Sequence, residues 1–379
     1  MKDKSVFSSA AIIIGTTIGA GIFGLPYVFM KAGFIIGLLY LLFFGVISVF
    51  ILKAYSEVVL RTRERSQIIG YASRYLGQRG RYIALISFLF GITGALIAYT
   101  IQVGSFLETV FSSSIGGNAF SYGLIFFGLG SLVILSGLKY VTRLGKVLVV
   151  ILIILVIVII VSGLPHVDID NLTTINPVFF FLPYGVVLFA LSAASAIPDA
   201  SENLLDKKKL YRIINYCVAI PLVIYLVFSF VVVGVSGQAT SEGAIGGLVN
   251  YLGNGVVIIG ALLGIMTMST SFLCLGLVIK EIYQYDLKLP KLLAWIVALT
   301  PPLVVYLFQL TTFITIISLV GAIMGGFDGI IVLLMWRRAK KIGKRKPECQ
   351  INVPVWAQAL MVSILSLGII YEIFYQITT

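Results

Sequence analysis

Charged residues are scarce in this sequence. Asp, Glu, Lys and Arg make up only 11% of the 379 residues, whereas 59% are hydrophobic. A water-soluble globule of this length needs more charge than that to cover its surface. Apolar runs of about 20 residues recur along the chain, and each is long enough to cross a bilayer as a helix. The alternating pattern of a membrane β-barrel is absent, so we expect an all-α protein that crosses the membrane many times.

Histidine and cysteine are also rare, which removes several kinds of chemistry. There is one histidine, His166, and the three cysteines fall on different predicted elements. No metal-ligand spacing and no disulfide framework follow from them. The apolar runs contain no pairing of a nucleophile with a base. We therefore expect no enzyme activity, no bound metal and no cofactor.

The apolar runs predict eleven transmembrane helices in a single domain, 1–379. Their predicted boundaries are 7–30, 33–60, 80–112, 121–138, 141–163, 177–204, 210–236, 254–285, 291–309, 312–336 and 355–377. All but one of the 27 basic residues fall on or near one side of these spans, and the exception is Lys31. Because bases concentrate on the cytoplasmic side, the sequence predicts a cytoplasmic (inner) membrane protein with its N-terminus inside and its C-terminus outside.

The net charge of +12 does not indicate nucleic-acid binding. The densest basic run, RRAKKIGKRK at 337–346, falls in a predicted inner loop. Such a loop attracts anionic lipid headgroups. The expected surroundings are therefore the lipid bilayer, with no nucleic acid and no obligate protein partner.

The first span contains more helix-breaking residues than a simple membrane anchor tolerates. Its central stretch, IIIGTTIGAGIFGLPYVF, contains Gly15, Gly19, Gly21, Gly24 and Pro26. Glycine in a helix interior costs roughly 1 kcal/mol relative to alanine, and proline costs about 3 kcal/mol. We interpret this helix as one that unwinds in mid-membrane. Close helix packing at small residues is the structural alternative.

The sixth span has a matching interruption, which indicates an internal repeat. Small residues occupy 192–196, and Pro198 follows. Placing Ala20 on Ala194, an offset of 174 residues, carries spans two to five onto spans seven to ten. Five helices in each half require the second half to be inverted. The sequence predicts repeat one at about 7–163, repeat two at about 177–336, and an extra helix at about 355–377.

Two facing helix breaks in mid-membrane are typical of a transporter. Unwound backbone is tolerated there only if it is buried in protein or lines a cavity. The N-terminal ends of half-helices attract a carboxylate, and freed carbonyls attract an ammonium group or a cation. An α-amino acid carries both charges on one carbon and fits such a site. A channel and a non-transporting amino acid sensor stay open as alternatives.

The segment Gly15 to Phe34, GTTIGAGIFGLPYVFMKAGF, closely resembles the first helix of the bacterial aromatic amino acid permeases, the tyrosine and tryptophan permeases. They belong to the amino acid/auxin permease family within the amino acid–polyamine–organocation superfamily. The Ser/Thr-rich eighth span and GAIMGGFDG in the tenth are similar too. The resemblance implies the leucine-transporter fold, a 5+5 inverted repeat with discontinuous helices 1 and 6. It also implies symport of neutral, aromatic amino acids by alternating access, with uniport or exchange as the alternative.

The resemblance further implies a substrate site made of backbone groups. The glycine-rich break would offer N–H groups to the substrate carboxylate, and nearby carbonyls would accept hydrogen bonds from the ammonium group. The residues that carry these groups are Thr17, Gly19, Ala20, Gly21, Ser192 and Ala193.

Four side chains are also implied near the substrate. Much of the superfamily carries a Phe-Glu-type pair where this chain has Ala194 and Ser195. The smaller pair leaves room for a large neutral substrate side chain. Tyr99 and Gln102 fall at the depth where the superfamily contacts its substrate, although a packing role fits Tyr99 as well.

The coupling ion is either sodium or the proton. For sodium, the eighth span has Thr267, Thr270 and Ser271, whose i, i+3, i+4 spacing puts them on one face. By resemblance, Thr270 and Ser271 are the two that supply hydroxyl ligands. The resemblance sets them opposite the carbonyls of Gly15 and Ile18. Serine and threonine in membrane helices also bond back to their own helix, which is the structural alternative.

For the proton, there are two candidates. In some superfamily members a lysine on the fifth helix takes the place of sodium, and by resemblance Lys146 fits that position. An alignment shifted by about one turn makes Lys146 an ordinary base at the inner face instead. Asp328 is an acid within the tenth span, and an ionisable group in the bilayer is a functional candidate by default. Asp328 is alternatively a structural partner beside Gly325 and Gly326.

Acids near the inner face predict ion pairs. Glu57 has Arg61 four residues later, which favours a pair over a proton relay. Asp199 and Glu202 follow the sixth-span break. They are predicted either to close an inner gate with bases of the fifth span or to cap the helix.

Overall fold

The computed structural model describes residues 6–137 and 141–378; within that range it gives only the backbone of 141–150, 250, 286, 377 and 378. Over these ranges the chain folds into α-helices joined by short 3₁₀ turns and loops. The helices are α1 Val6–Thr17, α2 Gly21–Ala32, α3 Phe34–Arg61, α4 Ile68–Ile115, α5 Ala119–Ser136, α6 Val141–Gly163, α7 Pro183–Ala190, α8 Ile197–Asn203, α9 Leu210–Ser236, α10 Val249–Glu281, α11 Lys291–Leu307, α12 Phe313–Val320, α13 Gly326–Ile342 and α14 Val355–Thr378.

Two predicted spans consist of two short helices each. α1 and α2 are bent by 49° where the chain leaves the helix at residues 18–20. α7 and α8 are separated by residues 191–196, which include the 3₁₀ turn Ala194–Ala196. The predicted discontinuity of the first and sixth spans is therefore confirmed.

The tenth span is distorted rather than interrupted. Between α12 and α13 the chain forms a π-helical segment, Gly321–Gly325. A π segment leaves part of the normal hydrogen-bond ladder out of register and is frequent at functional sites. Gly325, one of the two glycines before Asp328, is the last residue of this segment, and Gly326 is the first residue of α13.

The four half-helices pack in two pairs, and each pair joins one half of the first span to one half of the sixth span. α1 lies against α8, α2 lies against α7, and α9 contacts both α1 and α2. α4 runs beside α5, α10, α12 and α13, while α14 packs on α13, α12 and α7. Large apolar side chains such as Leu39, Leu132, Ile154 and Leu367 are exposed on the outside, as expected for a surface that faces lipid.

The number of spans stays a prediction. Among the described residues, eight helices are long and apolar enough to cross a membrane, or nine when the bent pair is one span. Two shorter apolar helices, Ile151–His166 and Lys291–Leu307, also occur. A helical segment lies in each of the eleven predicted windows. The repeat boundaries are likewise untested.

The predicted inner loop between the second and third spans is partly helical. α4 begins at Ile68, and its first turns are separated from the rest by Gly77, which has a φ of 74°. This left-handed conformation favours glycine because a Cβ would clash with the backbone. The third span therefore starts after a sharp turn rather than after a long irregular loop.

Candidate functional site

The two helix breaks are in direct contact. A Cβ on Gly21, the first residue of α2, would lie 2.6 Å from the Cα of Ala190, the last residue of α7. Real side chains essentially never approach a backbone atom that closely. Gly21 lies outside the positive-φ region, so the position requires the absence of a side chain rather than glycine's freedom of rotation. Packing therefore accounts for this glycine.

Packing does not account for Gly19. A Cβ at this residue would have no atom within 4 Å, and the residue is half-buried. α2 begins two residues later with no side-chain cap and no acid in its first turn. The N-terminus of a helix carries a partial positive charge and unsatisfied N–H groups. The open space at Gly19 thus lies beside a helix end suited to an anion.

The opposite helix ends meet at a buried tyrosine on α9. The hydroxyl of Tyr225 lies 2.6 Å from the carbonyl oxygen of Thr17 and 3.1 Å from that of Ala190. Tyr225 is fully buried. A phenol has one hydrogen, which here is shared between two acceptors. Tyr225 therefore joins the C-terminal ends of α1 and α7, one from each break.

Sequence reasoning did not find Tyr225. The signal that was available is a tyrosine within an otherwise apolar run, VIYLVFSF. A buried tyrosine hydroxyl normally has a hydrogen-bond partner, so such a residue marks a polar group nearby. Its partners, however, are backbone carbonyls that precede it in the chain by 208 and 35 residues.

The predicted residues of the second break differ in exposure. Ala193 is buried, Ser192 and Ala194 are half-buried, and the Ser195 side chain is exposed. The backbone of this segment forms one tight turn, in which the N–H of Ala196 donates to the carbonyl of Ala193 at 3.1 Å. The first and second breaks together therefore provide backbone donors, backbone acceptors and adjacent open space.

Comparison with known proteins gives the family. Residues 2–375 match the tryptophan/tyrosine permease family. The chain belongs to this family. The match spans nearly the whole sequence, so the predicted resemblance to aromatic amino acid permeases is confirmed at that level. The family consists of membrane permeases, which also confirms that the chain is not an enzyme.

Curated relatives and a solved structure agree with that assignment. Tyrosine-specific transport system 2 of Haemophilus influenzae is 30% identical over 366 residues, covering 89% of this chain and 88% of the relative. Glutamine transporter 2 of Aliivibrio fischeri is 21% identical over 330 residues, covering 84% and 85%. The crystal structure of MhsT in complex with L-phenylalanine superposes with a TM-score of 0.69 at 14% identity, covering 98% of both chains. That likeness shows the fold, which is the predicted leucine-transporter fold.

Tyr99 and Gln102 of the permease are buried on α4. The Tyr99 hydroxyl lies beside Ser271 and Cys274 of α10. The Gln102 amide lies against Gly243, in the loop between α9 and α10. The described contacts of both residues are therefore with α10 and this loop, and their part in substrate binding stays a prediction.

The predicted sodium ligands on α10 bond to their own helix. The hydroxyls of Thr270 and Ser271 donate to the carbonyl of Thr267 at 2.8 and 3.2 Å. This is the structural alternative, although a donating hydroxyl keeps a lone pair for a cation. The proposed carbonyl ligands lie on or directly after α1, since Gly15 is within it and Ile18 follows its last residue. α1 packs mainly on α8 and α9, whereas α10, which carries the hydroxyls, packs mainly on α4 and α6. The sodium site of the permease therefore stays a prediction.

Of the two predicted proton carriers, the structure describes the side chain of Asp328 but not that of Lys146. Asp328 is buried, and its Oδ1 has no hydrogen-bond partner among the described residues. The hydroxyl of Tyr55 on α3 is also buried without a partner and lies within electrostatic reach of Asp328. Two unsatisfied buried polar atoms near each other are unusual in a native protein. Lys146 lies on α6, but its side chain is outside the described residues.

The predicted pair on α3 is present, and it is buried. Glu57 pairs with Arg61 at 2.7 Å, as predicted, but it is fully buried and also accepts hydrogen bonds from Trp336 Nε1 and the Ile351 N–H. Buried charges are tolerated when they are paired in this way.

The gate predicted for Asp199 and Glu202 has a different partner. Arg65, which follows α3, pairs with Asp199 at 2.6 Å and with Glu202 at 2.5 Å. The fifth-span bases had been expected in this role. The loop after α3 lies closer to α8 than the separation in sequence indicates, because α3 itself packs on α8.

Proposed function

We propose that this permease is a secondary active symporter for neutral, aromatic amino acids. It works by alternating access around the two helix breaks, in a cytoplasmic membrane, with its N-terminus inside and its C-terminus outside. The observation that carries the proposal is the contact between Gly21 and Ala190. It sets the uncapped N-terminus of α2 beside the carbonyl ends of α7 and α1.

The geometry suits the two charges of an amino acid. The carboxylate would accept hydrogen bonds from the N–H groups around Gly19 to Gly21, at the positive end of α2. The ammonium group, with three donors, would bond to carbonyls near Thr17, Ser192 and Ala193. The Tyr225 hydroxyl already occupies the Thr17 carbonyl, so substrate and Tyr225 share this acceptor.

An aromatic substrate is supported by the residues of the second break and by the relatives. Ala194 and Ser195 are small, and both retain some exposure, so a bulky ring fits beside them. The Haemophilus relatives are described as tyrosine-specific transport systems, and the MhsT structure contains L-phenylalanine. The Aliivibrio relative is described as a glutamine transporter, so related chains also take a smaller neutral substrate.

The coupling ion is the proton or sodium. For sodium, the ligands are the carbonyls of Gly15 and Ile18 with the hydroxyls of Thr270 and Ser271. For the proton, the candidates predicted from the sequence are Lys146 and Asp328. No cofactor, nucleic acid or obligate protein partner enters the proposal. The bilayer and the amino acid are its only partners, and we place the chain in the amino acid–polyamine–organocation superfamily.

Reconstitution into proteoliposomes tests the function. A labelled mixture of amino acids is offered while a sodium gradient or a pH gradient is imposed separately. We expect concentrative, saturable uptake of tyrosine, phenylalanine or tryptophan with one of the two gradients. Saturable counterflow excludes a channel. Uptake that ignores both gradients would indicate a uniporter or exchanger, and binding without transport would indicate a sensor.

A further inference from the structure

The last helix carries a buried acid that the two breaks do not use. Glu372 of α14 is only 2% exposed. Leu367, Ile370 and Phe374 on the same helix are more than 60% exposed, toward the lipid. The helix thus has a lipid-facing side, and its acid points the other way, into the protein. An ionisable group in such a place is costly, and it is retained where it has a task.

Among the described residues, the groups that act on Glu372 are hydrogen-bond donors and not positive charges. Gln376 Nε2 donates to Glu372 Oε1 at 3.0 Å. The buried Ser318 hydroxyl of α12 lies beside the carboxyl group and has no hydrogen-bond partner among the described residues, so it is available as a second donor. Tyr184 of α7 and Tyr371 of α14 itself are titratable groups within electrostatic reach of Glu372.

The elements packed on α14 explain this absence of charge. α7, α12 and the segment Gly321–Gly325 contain no Asp, Glu, Lys, Arg or His. The bases of α13 lie at 337–341, in its last turns, and its one acid, Asp328, is not among the groups that act on Glu372. Without a cation nearby, an ionised carboxylate depends entirely on its neutral donors.

These donors belong to helices that hold the broken sixth span. Ser318 Oγ would lie 2.6 Å from a Cβ on Gly185 of α7. The Tyr184 hydroxyl donates to the Leu365 carbonyl of α14 at 3.2 Å, and its ring fits closely over Gly368. α7 is therefore fixed on one side by the same α12 and α14 groups that surround Glu372.

We propose that Glu372 is the proton-binding site through which a proton gradient acts on α7. When ionised, Glu372 takes the hydrogens of Gln376 and Ser318, which ties α12 to α14. When protonated, it needs fewer donors and can donate one hydrogen bond itself, which frees Ser318 toward Gly185. Binding or release of one proton thus changes what holds the half-helix that ends at the substrate site. This proposal rests on the proposed transport function.

The test compares wild type, Glu372→Gln and Glu348→Gln in proteoliposomes. Two readouts are measured: the ratio of tyrosine uptake with and without an inward pH gradient, and counterflow at equal pH. For Glu372→Gln we expect the ratio to fall to about one, while counterflow continues. Glu348 lies in the loop before α14 and pairs with Arg345, so Glu348→Gln should match wild type in both.

The outcomes separate this proposal from the transport function. A wild-type uptake ratio in Glu372→Gln overturns the proton site at Glu372. Uptake by the wild-type protein that is driven by a sodium gradient alone also overturns it. Neither result contradicts the proposed transport of amino acids. If the uptake ratio falls to about one in Asp328→Asn but keeps its wild-type value in Glu372→Gln, the proton binds at Asp328 and the Glu372 proposal is overturned. Transport of no amino acid by the wild type would refute the proposed function instead.

A spectroscopic measurement applies even if Glu372→Gln transports poorly. Infrared difference spectra of the purified wild-type protein are recorded over a pH titration. We expect a carboxylic acid C=O band that is missing in Glu372→Gln and titrates at higher pH in Gln376→Leu, since this change removes a donor to the ionised form. The same band in Glu372→Gln would overturn the proposal.

Discussion

The two breaks differ in how their helix N-termini are neutralised. α2 starts after Gly19 and Ala20, with no side-chain cap and no acid in its first turn. α8 starts at Ile197, has Pro198 as its second residue and Asp199 in its first turn. A carboxylate there offsets the positive end of the helix. Of the two N-terminal helix ends at the breaks, only that of α2 is left for a carboxylate from outside the protein.

Two glycines of the first break differ as well. Gly21 has backbone in the place of its missing side chain, whereas Gly19 has open space. The sequence motif is the same for both, but one glycine permits helix contact and the other leaves room beside the positive helix end. Substitutions can separate these roles.

The largest effect is expected for Gly21→Val. A valine side chain would meet the backbone of Ala190, which cannot move without shifting α7. Overpacking costs typically 1–3 kcal/mol, and here it also displaces the site, so we expect uptake to fall by about 100-fold or more. Radiolabelled tyrosine uptake measures the loss, and heating before size-exclusion chromatography should show lower thermal stability. Gly128→Val on α5, where a Cβ would meet open space instead of backbone, is the control.

Gly19→Val should lose uptake with unchanged stability. The Cβ of the valine would lie in open space, and the side chain would fill the space beside the α2 N-terminus, where it blocks hydrogen bonds to a carboxylate. Hydrogen bonds to a charged group contribute about 1.5–3 kcal/mol, so tyrosine binding should weaken roughly 10- to 100-fold. Scintillation proximity binding and the same heating assay measure the two quantities. Wild-type affinity in Gly19→Val would remove Gly19 from the site, and a stability loss equal to that of Gly21→Val would remove the distinction between the two glycines.

The sequence predicted the positions of both breaks because glycine and proline act locally on helix geometry. It could not assign separate roles to Gly19 and Gly21, since that depends on where Ala190 lies after folding. Tyr225 was missed for a related reason: its two acceptors are backbone atoms at the ends of other helices, and no residue type at those positions identifies them.

The charged groups show the same limit. The pair Glu57 and Arg61 was predictable because residues four apart share a helix face. The partner of Asp199 was not, because Arg65 lies 134 residues away and reaches it only through the packing of α3 on α8. Glu372 was overlooked because its position near the end of a span does not reveal which side of the helix it faces.

A moderate effect is expected for Tyr225→Phe. The change removes the hydroxyl that joins Thr17 and Ala190 and leaves two buried carbonyls with one donor fewer. An unsatisfied buried group costs about 1–3 kcal/mol, so we expect transport to change by about tenfold. Tyr216→Phe, on the same helix but 60% exposed, should have no effect. If Tyr225→Phe behaves like Tyr216→Phe in an uptake assay, the hydroxyl does not link the two breaks.

The smallest effect is expected for Arg65→Gln, which tests the second break from the inner side. Arg65 pairs with Asp199 and Glu202, but its side chain is 60% exposed and theirs are 40% and 52% exposed. Exposed ion pairs contribute about 0–1 kcal/mol, which corresponds to a change of no more than about fivefold in the balance between closed and open inner gate. We therefore expect a small rise in cysteine accessibility at an engineered Ser195→Cys position, with tyrosine affinity unchanged. The effect should also shrink at high salt, since ions screen exposed charges. A change as large as that of Gly19→Val would mean that the acid on α8 is part of the substrate site, and that the two breaks are electrostatically alike after all.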